Sequence, residues 1–107
     1  MNKRQADKAI KVIRADSRGH GRLMTAEGDT CALGGLLQAA GEPKRSLLRR
    51  IVPSGRQKAI LKKVYGIDSE WLDAIWMAND GNSVLRERRS ALVRVIRRAL
   101  RESLRGL

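Results

Sequence analysis

Phenylalanine is absent from the chain, and two tryptophans and one tyrosine are its whole aromatic complement. So little π surface argues against recognition of nucleobases by stacking. A single cysteine, Cys31, excludes an intramolecular disulfide and a multi-thiolate zinc site, and it fits a reducing compartment. One histidine, His20, with scattered carboxylates such as Asp29, offers no metal-ligand spacing, so neither a metal nor another cofactor is expected. No apolar run approaches the ~18 residues of a membrane span, and none follows Met1 as in a signal peptide; a cytoplasmic location is expected. Prolines are two, Pro43 and Pro53, and no run of β-branched residues alternates with period two. The expected class is all-α. At 107 residues the chain holds one core, so the expected organisation is a single helical domain over 1–107.

What the chain has in excess is positive charge. Lys and Arg number 23 against 11 Asp and Glu, a formal charge of +12, and arginines outnumber lysines by more than two to one. Guanidinium groups bind phosphate or carboxylate bidentately, so the composition points to a polyanionic partner, either nucleic acid or an acidic protein.

Periodicity predicts five or six helices. Lys3 to Ser17 carries Ala6, Ala9, Ile10 and Ile13 on one stripe. Arg18 to Asp29, with three glycines and no period, reads as the longest irregular connection, and Arg18-Gly-His-Gly-Arg22 within it as a disordered linker. Asp29 or Thr30 is the expected cap of a second helix from Cys31 to about Ala40. Its small residues, Gly34 and Gly35 included, suit a buried helix crossed closely by another. Pro43 fits the first turn of a third helix burying Leu47, Leu48, Ile51 and Val52. A fourth runs from Arg56 to Tyr65 and stops at Gly66.

The fifth, capped by Asp68 with an Ile67/Leu72 staple and stopped by Asn79, Asp80 and Gly81, carries Trp71 and Trp76. These indoles are expected at the centre of the core. The last helix starts at Ser83 and reaches about Leu104, with Leu85, Leu92, Val95, Ile96, Ala99 and Leu100 on its apolar side. A compact bundle with a long basic C-terminal helix results.

The candidate site lies on that last helix. Arg86, Arg94, Arg97, Arg98, Arg101 and Arg105 fall within an arc of about 120°, with only Glu87 and Glu102 for local relief. Such a stripe repels itself unless an anion lies against it, and six phosphate contacts to duplex DNA would give a log–log salt slope of roughly −5. The simpler reading is a solvated face. Lys44, Arg45, Arg49 and Arg50 are the expected assisting cations. Lys58 to Met77 has the outline of a helix-turn-helix, but its second helix carries Glu70, Asp73 and Asp80 and no base, the wrong charge for DNA. Cys31 at a helix start, with His20 as base, has the outline of a thiol nucleophile. Its Ala-Leu-Gly-Gly context favours packing, and no catalytic residue is expected.

CALGGLLQAAG at Cys31–Gly41, YGI at Tyr65–Ile67, IWMAND at Ile75–Asp80 and the RR-x-x-LV-x-x-IR tail together resemble small phage- and prophage-associated helical proteins. Those share a CALGAL-like segment, a later W-x-x-ND or L-ND segment and a terminal amphipathic helix. The resemblance implies an origin in a phage or prophage and the host-cell cytoplasm as location; it implies no activity. Two functions follow from the residues: a DNA- or RNA-binding protein that grips the phosphate backbone, or a phage-encoded protein that docks on an acidic host protein. Apolar Leu104 and Leu107 near the end of the last helix also suit a homodimer.

Overall fold

A computed structural model describes residues 1–15, 18–19, 21–48 and 50–105. Among them are six helices, α1 (Lys3–Ala15), α2 (Ala32–Ala39), α3 (Lys44–Leu47), α4 (Gly55–Tyr65), α5 (Ser69–Asp80) and α6 (Leu85–Arg105), and no strands. The fold is all-α. None of these helices is long and apolar enough to cross a membrane.

Helix α2 lies at the centre, as its sequence suggests. Six of its eight residues, Ala32 to Leu37, are buried, and it packs against α1, α4 and α5. Tyr65 at the end of α4 is fully buried and donates its hydroxyl to the Leu36 carbonyl at 2.7 Å, which satisfies the one polar atom of its ring system. Burial raises its pKa. Truncating Tyr65 would remove that bond and open a cavity, leaving the Leu36 carbonyl with only the Ala40 N–H at 3.1 Å among the described residues.

The tryptophans do not centre the core. Trp71 and Trp76 are partly buried and pack onto its rim, while the innermost side chains are Tyr65, Leu36, Leu37, Met24 and their neighbours. Indole size favours area burial but says nothing about depth, and α5 is an outer helix packed chiefly against α6 and α2.

The irregular connection expected over Arg18 to Asp29 is held in place along its Leu23–Met24 stretch. Leu23 and Met24 are fully buried, Met24 forms bridges to Thr30 and Leu48, and the Leu23 N–H donates to the Arg50 carbonyl at 2.7 Å. This strap, not a helix, is what passes close to α2: a Cβ on Gly34 would lie 1.8 Å from the Leu23 carbonyl oxygen. The same strap ends α3 early. Leu48 and Arg50 lie alongside it instead of continuing the helix; Leu48, Ile51 and Val52 are exposed rather than buried, and Pro43 is the N-cap residue rather than part of the first turn.

Other termini follow local chemistry. Ser54 and Gln57 close a reciprocal capping box on α4, and Gly66 ends that helix in the left-handed region at φ 68°. Asp68 precedes α5 but makes no side-chain cap; its carboxylate pairs with Lys62 at 3.2 Å instead. Helix α6 begins at Leu85, two residues later than expected, and the proposed end of α1 at Ser17 lies outside the described residues.

Asn79 and Asp80 are the last residues of α5 rather than a terminator after it, and they clasp the strap. Asn79 is buried; its Oδ1 accepts from the Ala32 N–H at 3.0 Å, and its Nδ2 donates to the Gly19 carbonyl and to Asp80 Oδ1. Asp80 in turn accepts from the Gly21 N–H at 3.1 Å. Buried Arg88 completes the arrangement, donating Nε to the Asn82 carbonyl and Nη1 to the Arg18 carbonyl. One amide therefore satisfies an orphan donor at the start of α2 and fixes a loop 60 residues away in sequence.

Candidate functional site

Helix α6 is buried along Leu92, Val93, Ile96 and Ala99, flanked by α1 and α5, and this packing turns its arginine arc to solvent. Arg86, Arg94, Arg97, Arg98, Arg101 and Arg105 are all exposed. Only Arg105 has an acidic partner among the described residues, Glu102 at 3.3 Å, in an exposed pair of little energetic weight. The other α6 arginines are different in kind. Arg88 lies on the buried arc in the clasp, and Arg89 reaches the Ala15 carbonyl at the end of α1 at 3.5 Å.

Helices α1 and α6 run antiparallel. The Met1 amino group donates to Ser103 near the end of α6, while Arg89 near its start meets the end of α1. Two adjoining hollows lie along this seam, of about 600 Å³ and 270 Å³, and both are lined by Arg14 and Arg97. The first also takes in Lys3, Lys11 and Asp7, with Ala6, Ile10 and Leu100 as its floor; the second takes in Arg89 and Arg94. Lys11 and Arg14 thus face the α6 arginines across a groove. Nothing in the sequence joins α1 to α6, although the cations at 11 and 14 sit beside the apolar stripe of α1, where a neighbouring helix would have to bring its own edge.

The second expected set of cations belongs elsewhere. Lys44, Arg45 and Arg50 are exposed, and Arg49 lies outside the described residues. Arg45 and Arg50 line a separate hollow of about 510 Å³ with Arg56, Ser46 and Ser54, and none of the described residues of 44–50 lines the two hollows of the α1/α6 seam. Arg56 is committed to structure. It grips buried Glu42 through two bonds of 2.7 and 2.8 Å, and Glu42 also accepts from Gln57 Nε2 and the Ser46 hydroxyl. The Arg56 fork holds the Glu42 carboxyl well below its ordinary value, at about 2, against the opposing effect of burial.

The remaining candidates fall to packing. Cys31 is buried and is itself the cap of α2, its sulfur accepting from the Gly34 N–H at 3.4 Å, where Asp29 or Thr30 had been expected. Burial pushes its thiol up to about 11, overriding the helix-start field that would activate a nucleophile. His20 lies outside the described residues. Among the described residues no three His, Cys, Asp or Glu side chains group as metal ligands. On α5, Glu70, Asp73 and Met77 form the exposed face, which would repel phosphate. The chain matches no protein-family model, no curated protein and no solved structure.

Proposed function

We propose that this protein binds nucleic acid through the phosphate backbone, using the face made by α6 and the adjoining edge of α1, and that it acts by binding rather than catalysis. The observation that carries the reading is the row of exposed arginines at 86, 94, 97, 98 and 101, none of which has an acidic partner among the described residues. Cations left without acids on a helix whose opposite side is fully engaged in packing form a surface complementary to a polyanion. Lys11 and Arg14 extend that surface; Lys44, Arg45 and Arg50 make a separate basic patch that assists at most by long-range attraction. With Tyr65 buried and both indoles packed on the rim of the core, contact is with backbone rather than stacked bases, and sequence preference is weak. The resemblance to phage-associated proteins supports an origin in a phage or prophage.

Anisotropy titrations of labelled DNA and RNA at physiological salt, with heparin as competitor, test the reading. Replacing Arg97 and Arg101 by glutamate is expected to weaken binding by at least about tenfold, or ~1.4 kcal/mol, with the helical circular dichroism unchanged. Undiminished affinity in that double variant would refute it. A stoichiometric acidic protein that survives nuclease treatment during co-purification, together with no preference for nucleic acid over heparin, would transfer the same stripe to a protein partner.

A further inference from the structure

We infer that the α1/α6 groove holds one strand of nucleic acid in single-stranded form, its phosphodiester backbone running between a Lys11–Arg14 wall and an Arg94–Arg97 wall. The inference rests on the nucleic-acid reading above and narrows it to a substrate class.

Shape is the first reason. A recognition helix reads duplex DNA by entering a major groove about 12 Å wide, which an α-helix of about 10–12 Å already fills. Helix α6 does not stand alone as a ridge; α1 lies against one flank and α5 against the other. Helices packed at about 8–10 Å between axes present a surface too broad for that groove.

The placement of charge is the second. Arg14 and Arg97 line both hollows of the seam from opposite helices, so cations converge on the groove from two sides instead of tracking one crest. A single strand lying in the seam meets both walls, whereas a duplex, whose phosphates lie on a convex cylinder, touches only the outer crest of α6. The floor of Ala6, Ile10 and Leu100 is aliphatic and suits sugar rather than stacked bases. Among the described residues one carboxylate lines the seam, Asp7, and it is tied to Lys3 at 2.9 Å.

Two double variants of equal net charge separate the possibilities. Lys11→Glu with Arg14→Glu reverses the α1 wall. Lys58→Glu with Lys63→Glu makes the same charge change on α4, where neither exposed lysine lines the groove. Labelled oligothymidine and a duplex of the same length are titrated against each variant and the parent chain, with heparin as the polyanion control and circular dichroism to confirm folding. Single-strand binding tighter than duplex, and a loss of about tenfold or more in the α1 variant against threefold or less in the α4 variant, is the expected result. Duplex binding at least as tight, or a loss in the α1 variant no larger than in the α4 variant, overturns this inference and leaves backbone binding through the stripe standing. Binding of both nucleic acids no tighter than heparin overturns the functional reading itself.

Discussion

The clasp at the end of α5 and the stripe on α6 are neighbours in sequence and opposites in how their polar groups are satisfied. Asn79, Asp80 and Arg88 bond to the protein's own backbone, and Asn79 also to Asp80, with Asn79 and Arg88 in a buried setting. Arg94, Arg97, Arg98 and Arg101 are exposed and have no acidic partner among the described residues. Arg88 and Arg97 are the same residue type on the same helix, yet one is a buried structural tie and the other is exposed. Residue type and charge did not separate them; the arc of the helix on which each falls did.

If the comparison is sound, stability and binding can be broken independently. The largest effect on stability is expected from Asn79→Ala, which strands the Ala32 N–H and the Gly19 carbonyl inside the protein. A loss of about 2–4 kcal/mol in chemical unfolding is expected, with little change in nucleic-acid affinity at temperatures where the variant is folded. Asn79→Ala with near-parental stability would mean that the clasp is incidental.

Glu42 tests the partnered side by pH. Its folded pKa, about 2, lies below the ordinary 4.5, so its contribution is fully present above pH 4.5 and is lost as pH falls from there toward 2. Thermal midpoints should decline through that window in the parent chain. Glu42→Gln, already lacking the ionic contribution, should be less stable at neutral pH and should decline less on acidification. Parallel acid profiles for the two chains would show that Arg56 and Glu42 are a surface pair of no consequence.

The smallest effect sharpens the other side. Asp7 is the one carboxylate in the α1/α6 seam among the described residues, and it is exposed, with a lysine partner that is more exposed still. Asp7→Asn should leave stability within about 0.5 kcal/mol and tighten nucleic-acid binding by roughly two- to threefold at low salt. Weaker binding would place Asp7 in the site as a positioning group for Lys3 instead.

The elements that could be read from sequence are those whose cause is local. The stripe Ala6, Ala9, Ile10, Ile13 predicts α1 and its buried side, the small and leucine-rich run predicts a central α2, and Gly66 predicts a helix stop. The arginine arc of α6 is legible for the same reason, since 100° per residue needs no tertiary information. What escaped depends on partners far along the chain. Leu23 and Met24 look like loop residues until Leu48 and Arg50 arrive beside them, and Asn79 looks like a helix terminator until Ala32 and Gly19 meet it. Lys11 and Arg14 joined the candidate site only because α1 packs on α6. The tryptophans misled because bulk was taken for depth.

The antiparallel seam also has a consequence in time. It unites α1, the first of the described helices to leave the ribosome, with α6, the last. Until α6 emerges, the Ala6, Ala9, Ile10 and Ile13 stripe of α1 lacks one of its covering partners, and the groove has one wall. During synthesis the chain therefore passes through a stage at which the segments of the other five helices have been made without the paired cations. A chain truncated before α6 is expected to lose the proposed anion binding, because the groove depends on the packing of α1 against α6 and not on any single helix.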